Sequence, residues 1–382
     1  MKFSHFILLF CALPSALIAQ NKTSITITNH SALNRKETVT AIKWKDILLS
    51  YPQIDTANFI IIDPKTKKQI PFQLEHKGQS MIQNVLVQID LKAKSSLQLF
   101  IQKGKPEKFA SKTFARFVPE RLDDFAWEND KIAFRAYGKA LEKTEGDAYG
   151  FDVWVKNTSK LVLNDRYKRN DYHIDHGDGL DYYHVGYTLG AGNMAPFVKD
   201  TIRYSGNYHQ WKILDNGPLR TTFQLIYDSW NAGGIKVKAT KTISIDAGSQ
   251  LNKIENNYTF DDKNPLPVVV GIIRRDKQGI IGLNEQQGIM SYWEPTFEKE
   301  GTTAIGAILS TPAQKMWVDK EQLLALTSVR NNEPIVYYSG AAWDKGGQIS
   351  NSKQWQDYLD HFNQELQNPL IVNVKEASKT KK

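Results

Sequence analysis

The chain has 382 residues, of which 41% are apolar and 24% charged, a composition typical of a globular protein and not of a disordered one. Its length predicts one large domain or two of ordinary size. The formal net charge of +8 favours an anionic ligand, although a lysine-rich surface that only maintains solubility is the alternative. No basic-aromatic motif is present, so we do not expect a nucleic acid as the partner.

The start of the chain predicts a cleavable export signal over residues 1–19. Lys2 supplies a positive charge, residues 6–13 are apolar, and a cut is expected near Gln20. The apolar run is shorter than the roughly 20 residues of a transmembrane helix, and no later run is longer, so we expect no membrane anchor. A lipoprotein signal at Cys11 is the alternative. Because Cys11 is the only cysteine, we predict an exported protein without disulfides in the periplasm or on the outer surface of a Gram-negative bacterium.

Period-two alternation of apolar residues recurs along the chain, and helical periodicity is scarce. The first clear case, residues 85–91 followed by 97–101, predicts a β-hairpin. Residues 20–110 are expected to form a small N-terminal β-domain that ends near a connector at 104–106. Further strands are predicted at 151–155, 223–227, 235–245 and 254–260.

The fold class that follows is mostly β. Residues 114–374 are predicted to form a large antiparallel β-sandwich of the super-sandwich type. One helix is expected near the C-terminus, capped by Ser352 and followed by Pro369, with Trp355 and Leu359 on its apolar face. It should pack on the outside of a sheet, and a basic tail at 375–382 should be disordered.

Side chains that carry chemistry are concentrated between residues 171 and 192. Three of the eight His, four Asp and three Tyr fall within fourteen positions from Asp171 to His184. Glycines in the same stretch allow tight turns, so several of these side chains can converge. A second polar-aromatic cluster lies at 121–130, with Arg135 on the following strand. Ordinary salt bridges are the alternative explanation of that second cluster.

This pattern is suited to removal of a proton from C5 of a uronic acid. That proton becomes removable when a cation neutralises the charge that develops on the adjacent carboxylate. A His, or a Tyr whose pKa is lowered by nearby cations, then acts as the base, and a second group protonates the oxygen that leaves C4. Arg135, Arg166, Lys168 and Arg169 are candidates for holding the carboxylate. The expected product is a 4,5-unsaturated uronic acid.

We assign the candidate residues to two roles. The predicted catalytic residues are His173, His176, Tyr182 and Arg135. The predicted substrate-binding residues are Trp127, Glu128, Asp178, Tyr183, His209, Trp343 and Lys345.

A metal site is the competing use of the same region. His173, His176 and Asp178 offer nitrogen and oxygen donors for a divalent ion, but their spacing matches no established ligand pattern, so we predict no cofactor. The sequence also lacks a Gly-x-Ser-x-Gly elbow and a phosphate-binding loop, which argues against serine esterase and nucleotide chemistry.

Three segments carry a resemblance to a known family: 120–130 (ERLDDFAWEND), 172–183 (YHIDHGDGLDYY) and 340–346 (GAAWDKG). They resemble a Bacteroidetes family from polysaccharide-utilisation loci that has long been described only as a domain of unknown function. The resemblance covers most of the chain after about residue 114.

The resemblance implies an oligosaccharide dehydratase active on ulvan. Such an enzyme removes water from the glucuronic or iduronic acid at the non-reducing end of a sulfated oligosaccharide, and an unsaturated glucuronyl hydrolase then takes the product. Three alternatives remain. A glycoside hydrolase would use two carboxylates such as Glu128 and Asp178, a polysaccharide lyase would expel a sugar, and a sugar-binding protein would use its aromatic residues alone.

Overall fold

A computed structural model of the chain describes residues 23–275 and 278–376. The predicted export signal and residues 377–382 of the predicted tail lie outside these ranges. Within the two ranges, no helix has the length and apolar character needed to cross a bilayer. Strands dominate the described residues and form antiparallel sheets, the largest with eight strands, so the predicted mostly β fold is confirmed.

The strands follow one another as β1 (Thr23–Asn29), β2 (Arg35–Lys43), β3 (Phe59–Ile62), β4 (Phe72–Glu75), β5 (Asn84–Leu91), β6 (Ser95–Lys103), β7 (Thr113–Val118), β8 (Asp124–Asn129), β9 (Ala133–Ala136), β10 (Asp152–Trp154), β11 (Ala191–Pro196), β12 (Gln210–Asn216), β13 (Arg220–Ala232), β14 (Ile235–Asp246), β15 (Leu251–Phe260), β16 (Leu266–Ile273), β17 (Ile280–Asn284), β18 (Ile289–Trp293), β19 (Thr303–Leu309), β20 (Lys315–Asp319), β21 (Gln322–Val329), β22 (Ile335–Trp343) and β23 (Ile371–Glu376). The helices are α1 (Trp44–Ser50), α2 (Leu163–Arg169) and α3 (Ser352–Gln367).

The first part of the chain forms two sheets around an apolar core of their own, in the orders β23-β1-β6-β3 and β2-β5-β4. The predicted hairpin between residues 85 and 101 is wrong. Both strands form, but β5 pairs with β2 and β4, whereas β6 pairs with β1 and β3. The two strands alternate apolar and polar residues because each turns one face to a shared core, and alternation does not reveal which strands pair.

The larger part of the chain stacks broad antiparallel sheets over a second core. The eight-stranded sheet has the order β12-β13-β14-β15-β22-β19-β18-β17, and a four-stranded sheet has the order β11-β16-β21-β20. Inward-facing side chains of both sheets fill one continuous apolar cluster. A further sheet, β10-β9-β8-β7, contributes to the same cluster with one face, and its other face carries the polar side chains described below.

The C-terminal helix α3 packs Trp355 and Leu359 on the eight-stranded sheet, as its apolar periodicity predicts. Its cap is Asn351 and not the predicted Ser352: the Asn351 side chain accepts a hydrogen bond from the Gln354 amide at 3.0 Å. Asn351 has extended backbone angles and Ser352 is already the first helical residue, so the helix begins one residue earlier than the predicted cap requires.

Strand β23 returns to the small sheet and pairs with β1. The prediction of a disordered tail from residue 375 is therefore wrong for its first two residues, because Lys375 and Glu376 pair with Ser24 and Thr23. The division of the chain into a small and a large domain stays a prediction. The strand that the prediction placed at the end of the larger domain belongs to the smaller sheet.

Candidate active site

The candidate site is built on the outer face of the sheet formed by β7 to β10. Arg135 on β9 lies opposite Asp152 on β10 and donates to its carboxylate at 2.5 Å. The same guanidinium donates to Asp181 at 2.9 Å and lies 3.5 Å from Asp124. All four side chains are buried. Three carboxylates therefore surround one buried arginine.

This surplus of carboxylates changes their titration. Burial raises the pKa of Asp181 to about 8, the negative charge of Asp152 adds to the rise, and Arg135 opposes it. Burial also raises the pKa of Asp124 to about 6, against the opposing charge of Arg135. We infer that the cluster holds a proton at neutral pH, because arginine keeps its own proton under all ordinary conditions.

The buried position of Arg135 conflicts with its predicted role. We expected this side chain to hold the substrate carboxylate, but the protein's own carboxylates already occupy its guanidinium. Arg135 is buried among these carboxylates and acts as a structural residue of the site.

A tight loop covers this cluster and presents the histidines. The Asp175 carboxylate accepts hydrogen bonds from the amides of Gly177 and Gly179 at 2.8 and 2.9 Å. Gly179 has φ +93°, and a Cβ there would lie 2.2 Å from the Val155 carbonyl oxygen, so only glycine fits. Beneath the loop, the Tyr172 ring stacks on Trp154 with centroids 4.7 Å apart.

His173 is the histidine whose geometry best suits a base. Its Nδ1 lies 2.8 Å from the main-chain oxygen of Asp181 and 3.7 Å from the Asp181 carboxylate. Because a carbonyl oxygen only accepts, Nδ1 carries a proton, and in the neutral ring the lone pair is on Nε2. The side chain is 67% exposed, and Nε2 makes no hydrogen bond within the described part of the chain.

A cation that the sequence analysis did not select is linked to His173 through Tyr172. Arg121 donates from Nε to the Tyr172 hydroxyl at 3.4 Å, and its Nη1 lies 3.6 Å from Asp124. The Tyr172 ring also contacts the His173 ring, with centroids 4.7 Å apart. The side chain of Arg121 is 27% exposed, and this combination of exposure and long contacts leaves its guanidinium able to meet an anion. The 121–130 cluster was the sequence signal for it.

His176 belongs to a separate ion-pair group on the same loop. Its Nε2 lies 2.8 Å from Asp171, and Arg169 lies 3.7 Å from the same carboxylate. Arg169 and Arg166 also hold Asp178, so the predicted substrate-binding carboxylate is engaged by the protein itself. Among the residues that the structure describes, no three His, Cys, Asp or Glu side chains converge as a metal-ion set.

Tyr182 does not meet the requirement set for a tyrosine base. Its hydroxyl accepts a hydrogen bond from Thr303 at 2.6 Å. Burial raises its pKa well above the ordinary value, and the nearby Arg275 only partly opposes this. The expected lowering of the pKa is therefore wrong. Arg275, which the sequence analysis missed, lies over the rings of Tyr182 and Tyr183 and pairs with Glu294 at 2.5 Å.

Two predicted binding residues on β8 lie inside the protein. Trp127 is fully buried and donates from its indole to Asn252 at 2.8 Å. Glu128 is also fully buried, 2.7 Å from the Lys156 ammonium, and it accepts the amides of Val162 and Leu163 at the start of α2. Neither side chain presents surface to a sugar in this conformation, because β8 is covered on both faces.

The remaining predicted binding residues belong to other contact groups. Tyr183 is buried against Arg275, and the Trp343 indole donates to the Glu300 main-chain oxygen at 2.9 Å. Lys345 lies over the Trp343 ring at 5.7 Å. His209 pairs with Asp228 at 3.1 Å on β13. None of these four contacts His173 within the described residues.

Comparisons with known proteins give a family and a fold. The model of a family described as "Domain of unknown function (DUF4861)" matches residues 27–372. A relative from Formosa agariphila, "Uncharacterized protein P7", is 33% identical over 372 residues, which is 92% of this chain and 93% of that protein. Its name states no activity, so the implied ulvan dehydratase activity has no support from it.

Among solved structures, the chain is similar to a protein in the glycosyl hydrolase family 38 from Enterococcus faecalis, with a TM-score of 0.55 and 8% identity. The match covers 95% of this chain and 48% of that structure, so the chain spans about half of its length. An α-mannosidase from the same organism matches with a TM-score of 0.48 and 8% identity over 94% of this chain and 46% of its own. At such identity, the likeness extends to the fold alone.

Proposed function

We propose that this chain, which belongs to the DUF4861 family of unknown function, is a carbon–oxygen lyase that removes water from the uronic acid at the non-reducing end of an oligosaccharide. The observation that carries the proposal is the state of His173: Nδ1 is fixed on the Asp181 oxygen, Nε2 makes no hydrogen bond within the described residues, and the adjacent Tyr172 ring carries the contact to Arg121. A fixed imidazole with one free nitrogen is the arrangement of a general base.

The elimination needs a base, a countercharge and an acid. Nε2 of His173 takes the proton from C5, and the electron pair of that bond forms the C4–C5 double bond as the C4–O bond breaks. The positive charge of Arg121 stabilises the negative charge that develops on the substrate carboxylate. His176, held by Asp171, protonates the departing hydroxide to give water. Both histidines lie on the loop that crosses the buried arginine cluster.

The substrate class follows from charge and from the family resemblance. The chain has a net charge of +8, and Arg121 and Arg169 are both partly exposed near the histidines. We propose sulfated, ulvan-type oligosaccharides as substrates. The unsaturated product would pass to an unsaturated glucuronyl hydrolase, and the predicted export signal puts the reaction in the periplasm.

A glycoside hydrolase mechanism with Glu128 and Asp178 has little geometric support. Glu128 is buried on Lys156 and the start of α2, and two arginines hold Asp178. A polysaccharide lyase would share the elimination step but would release a sugar from C4 in place of water, so product size separates the two activities.

The test is incubation with saturated uronic-acid oligosaccharides, read by mass spectrometry for loss of one water and by the ultraviolet absorbance of the new double bond. We expect His173→Ala to slow the reaction by about 100- to 10,000-fold. His30→Ala is the matched control, because His30 is exposed beyond the end of β1. Thermal unfolding of each variant confirms that it is folded.

Three results would contradict the proposal. A folded His173→Ala protein with the control's rate would remove His173 from the mechanism. Shorter oligosaccharides as products would indicate a polysaccharide lyase. Extensive treatment with EDTA should leave turnover unchanged, so a loss that one divalent ion restores would reassign His173 and His176 as metal ligands.

A further inference from the structure

A large cavity of the described residues lies away from the histidine loop. It is a groove of about 1260 Å³ between β2 of the small sheet, the outer face of the eight-stranded sheet, and α3. Pockets for drug-sized ligands measure roughly 300–1,000 Å³, so this groove has room for a larger molecule. No residue of the loop at 171–187 lines it.

The floor of the groove is a regular row of polar side chains. Thr222 pairs with Ser244, Ser244 with Lys253, and Lys253 with Tyr338, so one row crosses four neighbouring strands. Strands lie about 4.8 Å apart, which makes the row roughly 14 Å long. The four residues present two hydroxyls, which hydrogen-bond each other at 2.9 Å, an ammonium group and a phenol along one line.

The protein's own contacts hold the walls of the groove in place. On the β2 side, Lys131 holds Glu37 at 2.9 Å. On the helix side, the Tyr358 hydroxyl accepts the Gln250 amide at 2.9 Å. An ion pair of 3.2 Å between Arg35 on β2 and Glu365 on α3 joins the two walls. The groove is therefore a preformed feature of the fold.

Several polar groups that line the groove have no partner among the described residues. Thr40 is only 8% exposed and its hydroxyl makes no hydrogen bond, and Arg35 is 4% exposed with an unpaired Nε. The Lys253 ammonium and the Tyr338 hydroxyl likewise make no hydrogen bond or ion pair within the described ranges. Buried polar groups are normally paired, so the two buried groups point to a ligand that supplies the missing partners.

The charge of the lining identifies the kind of ligand. Five Lys or Arg and six Asp or Glu side chains line the groove, and several are already paired, as Arg220 is with Asp246 and Glu75. A balanced lining gives no strong field for an anion. The unpaired groups include donors and hydroxyls that also accept, and the Tyr338 ring supplies a flat apolar surface beside Phe362.

We propose that this groove is a second, non-catalytic binding site for a neutral oligosaccharide. Sugar hydroxyls both donate and accept, so they match the row from Thr222 to Lys253, and a pyranose face suits the Tyr338 ring. The site holds a stretch of saccharide chain along the row. This inference stands independently of the reaction proposed at His173.

The experiment is titration calorimetry with neutral hexasaccharides (cellohexaose, xylohexaose and mannohexaose) and with a hexasaccharide of glucuronic acid. We expect at least one neutral probe to bind. Loss of one hydrogen bond should raise its Kd by about 3- to 10-fold in Lys253→Ala and in Tyr338→Phe, which keeps the ring. Lys238→Ala is the control, because Lys238 is exposed on β14 outside the groove.

Several other results would overturn the proposal. Failure of every neutral probe to bind, or equal affinity in the groove variants and the control, rejects the site. Binding of the acidic probe alone, lost at high salt, rejects a neutral ligand. Binding that His173→Ala abolishes and Lys253→Ala does not would place the sugar at the histidine loop. Groove binding in a protein without dehydratase activity would reject only the reaction proposed for His173.

Discussion

Asp181 connects the two parts of the candidate active site. Its main-chain oxygen holds His173, and its carboxyl group belongs to the buried cluster around Arg135. Its pKa is raised to about 8, above the ordinary 3.8, so the folded protein keeps a proton that the unfolded chain releases. The resulting contribution to stability is present at low pH and is lost as the pH rises from about 4 to about 8.

Asp181→Asn should weaken this pH dependence. For the wild-type protein we expect the free energy of unfolding to fall by up to about 1.4 kcal/mol per pH unit for this one proton between about pH 5 and pH 8. The amide cannot titrate, so the variant should lose less stability over the same range. Urea unfolding at both pH values measures the difference, and equal slopes in the two proteins would show that Asp181 is ionised in the folded state.

At the level of single residues, the sequence predicts which chemical groups are present but not their surroundings. The density of His and Asp at 171–184 directs attention to a loop on which His173 is exposed, and the role of His173 stays a prediction. The same sequence cannot show that Arg135 already has three carboxylate neighbours or that Tyr182 is buried against Thr303. The burial of a charged group and its partners within the protein decide whether it can bind a ligand, and both depend on the tertiary fold.

At the level of secondary structure, alternation predicts strands well and their pairing poorly. The runs at 223–227, 235–245 and 254–260 lie in β13, β14 and β15, which are neighbours in one sheet. The runs at 85–91 and 97–101 form strands of different sheets. A period of two records only that one face of a strand is buried, and a facing sheet satisfies this as well as a paired strand does.

The cap of α3 provides a prediction at the same scale. Asn351 satisfies the free amide of Gln354, so Asn351→Ala should lower the free energy of unfolding by about 1 kcal/mol. Ser352→Ala is the matched control and should change it by less than about 0.5 kcal/mol. Urea midpoints of the two variants decide between the two residues. A larger loss of unfolding free energy in the Ser352→Ala variant would show that Ser352 is the cap, as the sequence predicts.

For the whole molecule, the sequence predicts the fold class but not that the C-terminal strand returns to pair with the first strand. The chain leaves the small sheet after β6, builds the large stacked sheets and returns as β23 beside β1. Strands β1 and β23 pair although they lie more than three hundred positions apart, and no local pattern encodes such a pairing. Its polar and charged residues Asn373, Lys375 and Glu376 resemble a solvated tail, because an edge strand has one face open to water.

Removal of β23 tests how much the pairing of β23 with β1 stabilises the small sheet. Deletion of residues 369–382 removes the ladder to β1 and the packing of Val372 and Val374 on the small core, so we expect a loss of about 2–4 kcal/mol from the small sheets. Hydrogen exchange of the β1 amides should become faster, while exchange in β13 to β15 stays slow. Deletion of 377–382 alone is the control, because it leaves β23 intact.

The same exchange measurement tests the predicted division into two domains. If the small sheets form a domain of their own, faster exchange in the longer deletion should be confined to them, because their apolar core is distinct from the core of the large sheets. Exchange that rises equally in β1 and in β14 would show that the molecule unfolds as one unit and would contradict the division. Equal β1 exchange in both deletions would show that β23 does not stabilise the small sheet.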